Sequence, residues 1–227
     1  MEYMGDIERI NTNDGTDTFF NRRFKQQYRS YFGAYQESQY VYIMQGLAFY
    51  HEQHEDKQEV NVFEVGFGSG LNAFLTLLYA RENKLKIYYE SIDLYPVDLV
   101  DIQMFKLGEV LEDYRKYFLW LHEQPWGELR DLDESFRLKK ILADWTGYQM
   151  NGMFDVVYYD AFSYDVQPQM WTEDRFKHIF EHMTSGGVLT TYASKGEIKR
   201  ALRNVGFNLF RLEGAMGKRH MLRAVKP

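Results

Sequence analysis

The segment Glu64-Val65-Gly66-Phe67-Gly68-Ser69-Gly70 sets three glycines at alternate positions between an apolar run and a helical stretch. Glycines there let the backbone approach a ligand without side-chain collision, and the helix that follows offers unpaired N–H groups at its start. This is the chemistry of a small-molecule cradle. A dinucleotide fingerprint needs a glycine at its sixth position, which here is Leu71, while the third glycine falls at Gly70. A dinucleotide is therefore disfavoured.

Carboxylates follow at the ends of later apolar runs. Asp93, 27 residues after Gly66, is suited to accept both hydroxyl protons of a ribose. Asp144 can accept from an adenine amino group, with Trp145 beside it for the ring. In Asp155-Val156-Val157-Tyr158-Tyr159-Asp160, Asp155 opens a strand and belongs at the far edge of the sheet. Asp160 closes that strand, at the carboxyl edge where open α/β sheets place ligands, and is the catalytic candidate. Where a group moves by in-line displacement, the protein must supply alignment and removal of a proton from the nucleophile. For an amine acceptor, a carboxylate at Asp160 can hold the ammonium and assist its deprotonation.

Two other patterns compete for attention. His178-Ile179-Phe180-Glu181-His182 spells the inverted zinc-protease motif, but no third ligand motif follows it, so a polar helix face near a C-terminus accounts for it better than a metal. Basic residues cluster at Arg22, Arg23, Lys25 and Arg29, and again at Lys195, Lys199, Arg200, Arg203, Lys218 and Arg219. With interleaved tyrosines and Phe24 these could touch phosphate and stack on an unpaired base, although solvated helix faces produce such clusters as well.

The elements that must position these groups follow from hydrophobic periodicity. Asn13-Asp14-Gly15 is a tight-turn signal between Ile7–Asn11 and Thr16–Phe20, predicting a small hairpin, and Glu37–Tyr50 reads as a helix with one buried face. Strands are predicted at Val60–Val65, Lys86–Ile92, Leu138–Ala143, Phe154–Tyr159, Gly187–Tyr192, Phe207–Leu212 and His220–Val225. Helices are predicted at Leu71–Ala80, from Pro96, at Thr172–Met183 and at Gly196–Val205. Such alternation requires a mainly parallel α/β sheet covered on both faces. Residues 108–137 are read as a helical insertion, and the chain divides into an N-terminal extension over 1–58 and a cofactor-binding sheet over 59–227, together one domain.

Composition narrows the function. With 45% apolar residues, 26% charged residues and 227 residues in all, the chain can bury a sizeable core. The absence of cysteine excludes disulfides, thiolate metal sites and cysteine nucleophiles. A net charge of −6 argues against coating nucleic acid non-specifically, so a nucleic-acid substrate needs local patches. No run of about 18 apolar residues suggests a membrane span, and the first ten residues lack a secretory signal, so the expected location is the cytoplasm.

The pattern Glu-x-Gly-x-Gly-x-Gly resembles motif I of class I S-adenosylmethionine-dependent methyltransferases. Taken with Ser91-Ile92-Asp93-Leu94-Tyr95-Pro96, Tyr159-Asp160-Ala161-Phe162, Gln167-Pro168-Gln169-Met170-Trp171, Thr190-Thr191-Tyr192-Ala193-Ser194-Lys195-Gly196 and Gly217-Lys218-Arg219-His220-Met221-Leu222, it resembles the methyltransferase domain of the MnmC family. That resemblance implies a class I, Rossmann-like fold of seven strands with one antiparallel. It implies S-adenosylmethionine as methyl donor and, as acceptor, the 5-aminomethyl group of a tRNA wobble (2-thio)uridine. By position, Glu64, Gly66, Phe67, Gly68, Gly70, Asp93, Asp144 and Trp145 would bind the donor and Asp160 the amine, with Phe162, Trp171, Lys195, Lys218 and Arg219 on the tRNA side. The chain resembles the stand-alone form, for which neither FAD nor metal is expected and separate enzymes make the aminomethyl precursor. A small-molecule amine as acceptor and a non-catalytic cofactor-binding protein are the alternatives.

Overall fold

The computed structural model describes residues 7–215 and 217–227; the first six residues of the expected extension lie outside the described residues. The extension opens with strands β1 (Ile7–Asn11) and β2 (Asp17–Asn21), joined by the predicted turn, and a short β3 (Gln26–Gln27). All three pair antiparallel. Thr12 and Asp14 hold the turn, the Thr12 hydroxyl donating to Asp14 Oδ1 at 2.8 Å and the Thr16 N–H to the same oxygen at 3.1 Å.

A continuous helical rod follows. It comprises α1 (Ala34–Ser38), a ten-residue π-helical stretch Gln39–Ala48, and α2 (Phe49–Gln53). The π-helical stretch carries Tyr42, and α2 carries Tyr50, onto the central sheet, and Gly46 permits the close approach: a Cβ there would stand 3.1 Å from Thr190 Oγ1 and Tyr158.

The main part alternates as predicted: β4 (Glu59–Val65), α3 (Leu71–Asn83), β5 (Lys86–Asp93), α4 (Leu99–Gln103), α5 (Arg115–Glu123), β6 (Leu129–Asp133), β7 (Phe136–Leu142), β8 (Phe154–Tyr159), α6 (Glu173–Glu181), β9 (Met183–Thr191), α7 (Gly196–Val205), β10 (Asn208–Glu213) and β11 (His220–Val225). The sheet order is β10-β11-β9-β8-β4-β5-β7-β6. The inner strands β7, β5, β4, β8 and β9 run parallel, while β11 and β6 run against their neighbours. Strand order reverses between β4 and β8, which opens a crevice at their carboxyl ends.

Side chains alternate between two cores, one on each face. Val62, Val156 and Tyr158 join Phe74, Phe118 and Tyr42 on one side. Phe63, Val157 and Tyr159 join Trp171, Phe176 and Ile198 on the other. This two-residue period, with both faces covered, is what a buried parallel sheet demands.

The insertion corrects one expectation. Residues 108–137 are helical only in part, through a 3₁₀ turn at Glu112–Tyr114 and α5; Leu129–Asp133 forms β6, an eighth strand beyond the seven. Asp133 turns the chain back, accepting the Ser135 N–H at 2.8 Å, and β6 then pairs with β7 through a bulge. An exposed edge strand needs few apolar residues, so Leu129–Asp133 carries no alternation to reveal it. Among the described residues no helix is long and apolar enough to cross a membrane.

Candidate active site

The crevice at the switch point is lined by residues of both the extension and the sheet and is partly open to solvent. It brings together seven of the fourteen site residues expected from sequence. Gly66, Gly68, Asp93, Asp144, Trp145, Asp160 and Phe162 all line it.

The glycine turn is held by side chains rather than by ligand alone. Gly66 and Gly68 adopt φ of +95° and +53°, and a Cβ on Gly66 would fall 2.7 Å from the Asp160 carbonyl oxygen. Only glycine fits there. Asp93 Oδ2 accepts the Gly68 N–H at 2.9 Å and its Oδ1 accepts the Tyr95 N–H at 2.8 Å. Each oxygen keeps acceptor capacity for a ribose hydroxyl. Burial pushes the Asp93 carboxyl up, against the opposing pull of these backbone N–H groups.

Asp144 is exposed at the end of β7, its Oδ1 taking the Thr146 N–H and hydroxyl, each at 2.8 Å. Trp145 is buried and donates its indole N–H to Tyr159 at 3.0 Å, so its contribution to the crevice is an apolar wall.

Three residues expected at the donor do not line the crevice. Glu64 is fully buried beneath the glycine turn, accepting from Asn72 Nδ2 at 2.9 Å and from the Ser91 hydroxyl at 2.8 Å. Burial and the nearby negative charge of Asp160 push its pKa up to about 8. Phe67 turns away to pack on His122 and Trp126. Gly70, at φ +71°, is required by a protein neighbour, because a Cβ there would meet His122 Nε2 at 2.6 Å. His122 comes from α5 in the insertion; its Nε2 lies 3.0 Å from the Ser69 carbonyl. Burial, and next the charge of Lys140, lower its pKa to about 3, so the neutral ring donates from Nε2 and braces the turn from outside.

Asp160 sits at the centre of a buried polar network. Its Oδ1 accepts the Tyr42 hydroxyl at 2.6 Å; its Oδ2 accepts from Asn72 Nδ2 at 3.0 Å and forms an ion pair with Arg29 Nη2. Asn72 thereby bridges Asp160 to Glu64. Burial raises the Asp160 pKa, while Arg29 and Tyr42 act to lower it. A carboxylate offers about four acceptor positions, and three are taken here. The position left is on Oδ1.

Arg29, Tyr42 and Asn72 escaped the sequence reading. Arg29 is grouped there with a basic surface cluster, yet its side chain is only 5% exposed and lines the crevice beside Gln26 and Tyr28. Asn72 follows directly on motif I, a signal available to inspection; nothing local marks Tyr42.

The tRNA-side candidates divide. Phe162 lines the crevice and packs against Phe24, ring centroids 4.8 Å apart, and Phe24 in turn against Tyr95 at 5.4 Å. Trp171 is buried behind it, donating its indole N–H to the Phe162 carbonyl at 2.8 Å. Lys195 pairs with Asp165, and Lys218 with Glu37 at 2.7 Å while covering the Tyr192 ring; neither lines the crevice. Arg219 is exposed. The histidine pair is occupied within its own face: His178 Nε2 accepts the Met150 N–H at 2.9 Å. Among the described residues no group of three His, Asp or Glu has the geometry to hold a metal ion.

Residues 115–227 match a family described as S-adenosyl-L-methionine-dependent methyltransferase. Together with the switch-point crevice, this gives the chain the fold of the class I methyltransferases. Among proteins of that fold it is similar to members of the MnmC family. It is 27% identical to the "tRNA 5-methylaminomethyl-2-thiouridine biosynthesis bifunctional protein MnmC" of Pseudoalteromonas atlantica, over 93% of this chain and 32% of that protein. The same-named protein of Nitrosospira multiformis is also 27% identical, over 92% of this chain and 35% of its own length. The chain thus spans about a third of the length of these relatives. The crystal structure of MnmC2 from Aquifex aeolicus superposes with a TM-score of 0.82 at 25% identity, covering 97% of this chain and 71% of that one. Spermidine synthase from Thermotoga maritima, at 12% identity and a TM-score of 0.57, shares the fold.

Proposed function

We propose that the chain transfers a methyl group from S-adenosylmethionine to a primary amine, the 5-aminomethyl group of a tRNA wobble uridine or 2-thiouridine. The observation that carries this reading is Asp160: a buried carboxylate at the crevice, held by three donors, with one acceptor position left. When bound, the donor supplies an electrophilic methyl carbon on a sulfonium. Asp93 holds its ribose and Asp144 its adenine amino group, and Trp145 walls the ring.

Asp160 accepts a single N–H of the amine on Oδ1, which turns the nitrogen lone pair toward the methyl carbon and favours loss of the ammonium proton. Because Tyr42, Arg29 and Asn72 fix both carboxylate oxygens, this alignment costs little reorganisation. Phe162, Phe24 and Tyr95 provide apolar surface on which an unpaired base can stack. Phosphate contacts fall to exposed Lys25 and Arg219 more readily than to Lys195 and Lys218, which already have carboxylate partners. The relatives named for tRNA 5-methylaminomethyl-2-thiouridine biosynthesis support a tRNA acceptor over a small amine. In this reading the extension and the sheet act as one catalytic domain in the cytoplasm, on a precursor made by other enzymes.

The test is mass spectrometry of nucleosides from tRNA bearing the aminomethyl group, after incubation with the protein and donor. Gain of one methyl on that nucleoside is expected, with tRNA binding that weakens as salt rises. Donor turnover on small amines with no change in the tRNA would instead select the small-molecule alternative, and donor binding without turnover on either would select the non-catalytic one.

A further inference from the structure

We infer that Arg29 selects the methyl donor by its amino-acid carboxylate, so that the N-terminal extension decides which adenosyl sulfur compound the crevice accepts. This rests on the donor reading above. Among the described residues lining the crevice, Arg29 is the only cationic side chain, while Asp93, Asp144 and Asp160 are acidic. Such a lining suits the sulfonium and ammonium of the donor. It repels the donor's one negative group, which needs a cation to receive it.

Arg29 is built to be that cation. Its side chain is 5% exposed; Nη2 is paired with Asp160, whereas Nε and Nη1 have no hydrogen-bond partner. Buried donors left unpaired are costly, so two on one guanidinium mark an interaction that the polypeptide does not itself complete. The guanidinium is planar and anchored at one nitrogen, so its other donors are already oriented. The segment is fixed beside the glycine turn as well. The Arg29 N–H donates to Thr18 Oγ1 at 2.9 Å, and the neighbouring Tyr28 ring would stand 3.1 Å from a Cβ on Gly68. A ligand whose amino-acid portion follows that turn arrives next to Arg29.

The experiment is calorimetric titration of the chain with S-adenosylhomocysteine and with its decarboxylated analogue, which differ only in the carboxylate. The intact chain is expected to prefer the carboxylate form by about 10-fold to 100-fold, the range of one charge-assisted hydrogen-bonding group. In Arg29→Gln that preference should fall below about threefold, and in Arg29→Lys it should return in part, with thermal melting confirming that both variants fold. If Arg29 serves only to hold Asp160, the variants shift both affinities by the same factor and keep the ratio, which overturns the inference. Should neither variant fold, the intact chain still decides, because equal affinity for the two compounds is incompatible with carboxylate recognition. Failure of both compounds to bind would remove the donor reading itself, an outcome distinct from binding without discrimination.

Discussion

Asp155 lies within β8 and Asp160 directly follows its last residue, five positions on, and both side chains are almost wholly buried. Their surroundings differ in completeness. Asp155, at the amino end of β8, accepts on Oδ1 from Tyr50 at 3.1 Å, Lys57 at 2.6 Å and Thr184 at 2.8 Å, and on Oδ2 from the Asn61 N–H at 2.9 Å, four donors in all. Asp160, at the carboxyl end, has three donors, and the groups around it are themselves unfinished: Arg29 Nε and Nη1 and Asn72 Oδ1 have no partner. A buried carboxylate that four protein donors surround ties helix to sheet. One with an acceptor position to spare, beside other unsatisfied groups, is arranged for something that arrives.

The largest effect expected is on Asp160. Asp160→Asn should slow methyl transfer by about 10²–10⁴-fold in single-turnover assays, with donor affinity changed less than about threefold; transfer at full rate would make Asp160 as structural as Asp155. The reverse holds at the other end of the strand. Asp155→Ala should cost about 2–3 kcal/mol in urea denaturation, mostly from the stranded Tyr50, Thr184 and Asn61 donors because Lys57 is 39% exposed and hydrates readily. Methyl transfer per folded molecule should not change.

Asp93→Asn keeps an acceptor for the Gly68 N–H but loses the charge, so donor binding by titration should weaken about tenfold with little loss of thermal stability. The smallest effect concerns Glu64. Its pKa lies near 8 in the folded chain against 4.5 ordinarily, so between those values the folded state holds a proton that the unfolded state has released. Glu64 therefore lowers stability as pH rises through that window. Glu64→Gln should flatten the decline, a gain on the order of 1 kcal/mol at pH 8.5 in denaturant titrations; an unchanged pH profile would mean that Glu64 is ionised beside Asp160.

The strands of the parallel sheet were legible because each is a short apolar run bounded by turn residues, and their ends brought Asp93, Asp144 and Asp160 to one edge without further information. The edge strand β6 was not legible, since solvent on one side removes the need for apolar alternation. Motif I was visible as glycines, but the same residue type serves two ends: Gly66 clears the Asp160 backbone within the crevice, and Gly70 clears His122 outside it. Spacing alone cannot separate those reasons.

What the sequence by itself determined is the order of strands and turns, and with it the acidic edge and the glycine turn, because these depend on near-neighbour periodicity and backbone sterics. Only the tertiary structure decided that Arg29, 131 positions from Asp160 in the chain, leaves the basic surface cluster to become its counter-ion, and that Tyr42 reaches the same carboxylate from a π-helical turn. Burial and pairing of charge depend on which distant segments pack together, and no local pattern around Arg29 distinguishes it from Arg22 or Arg23.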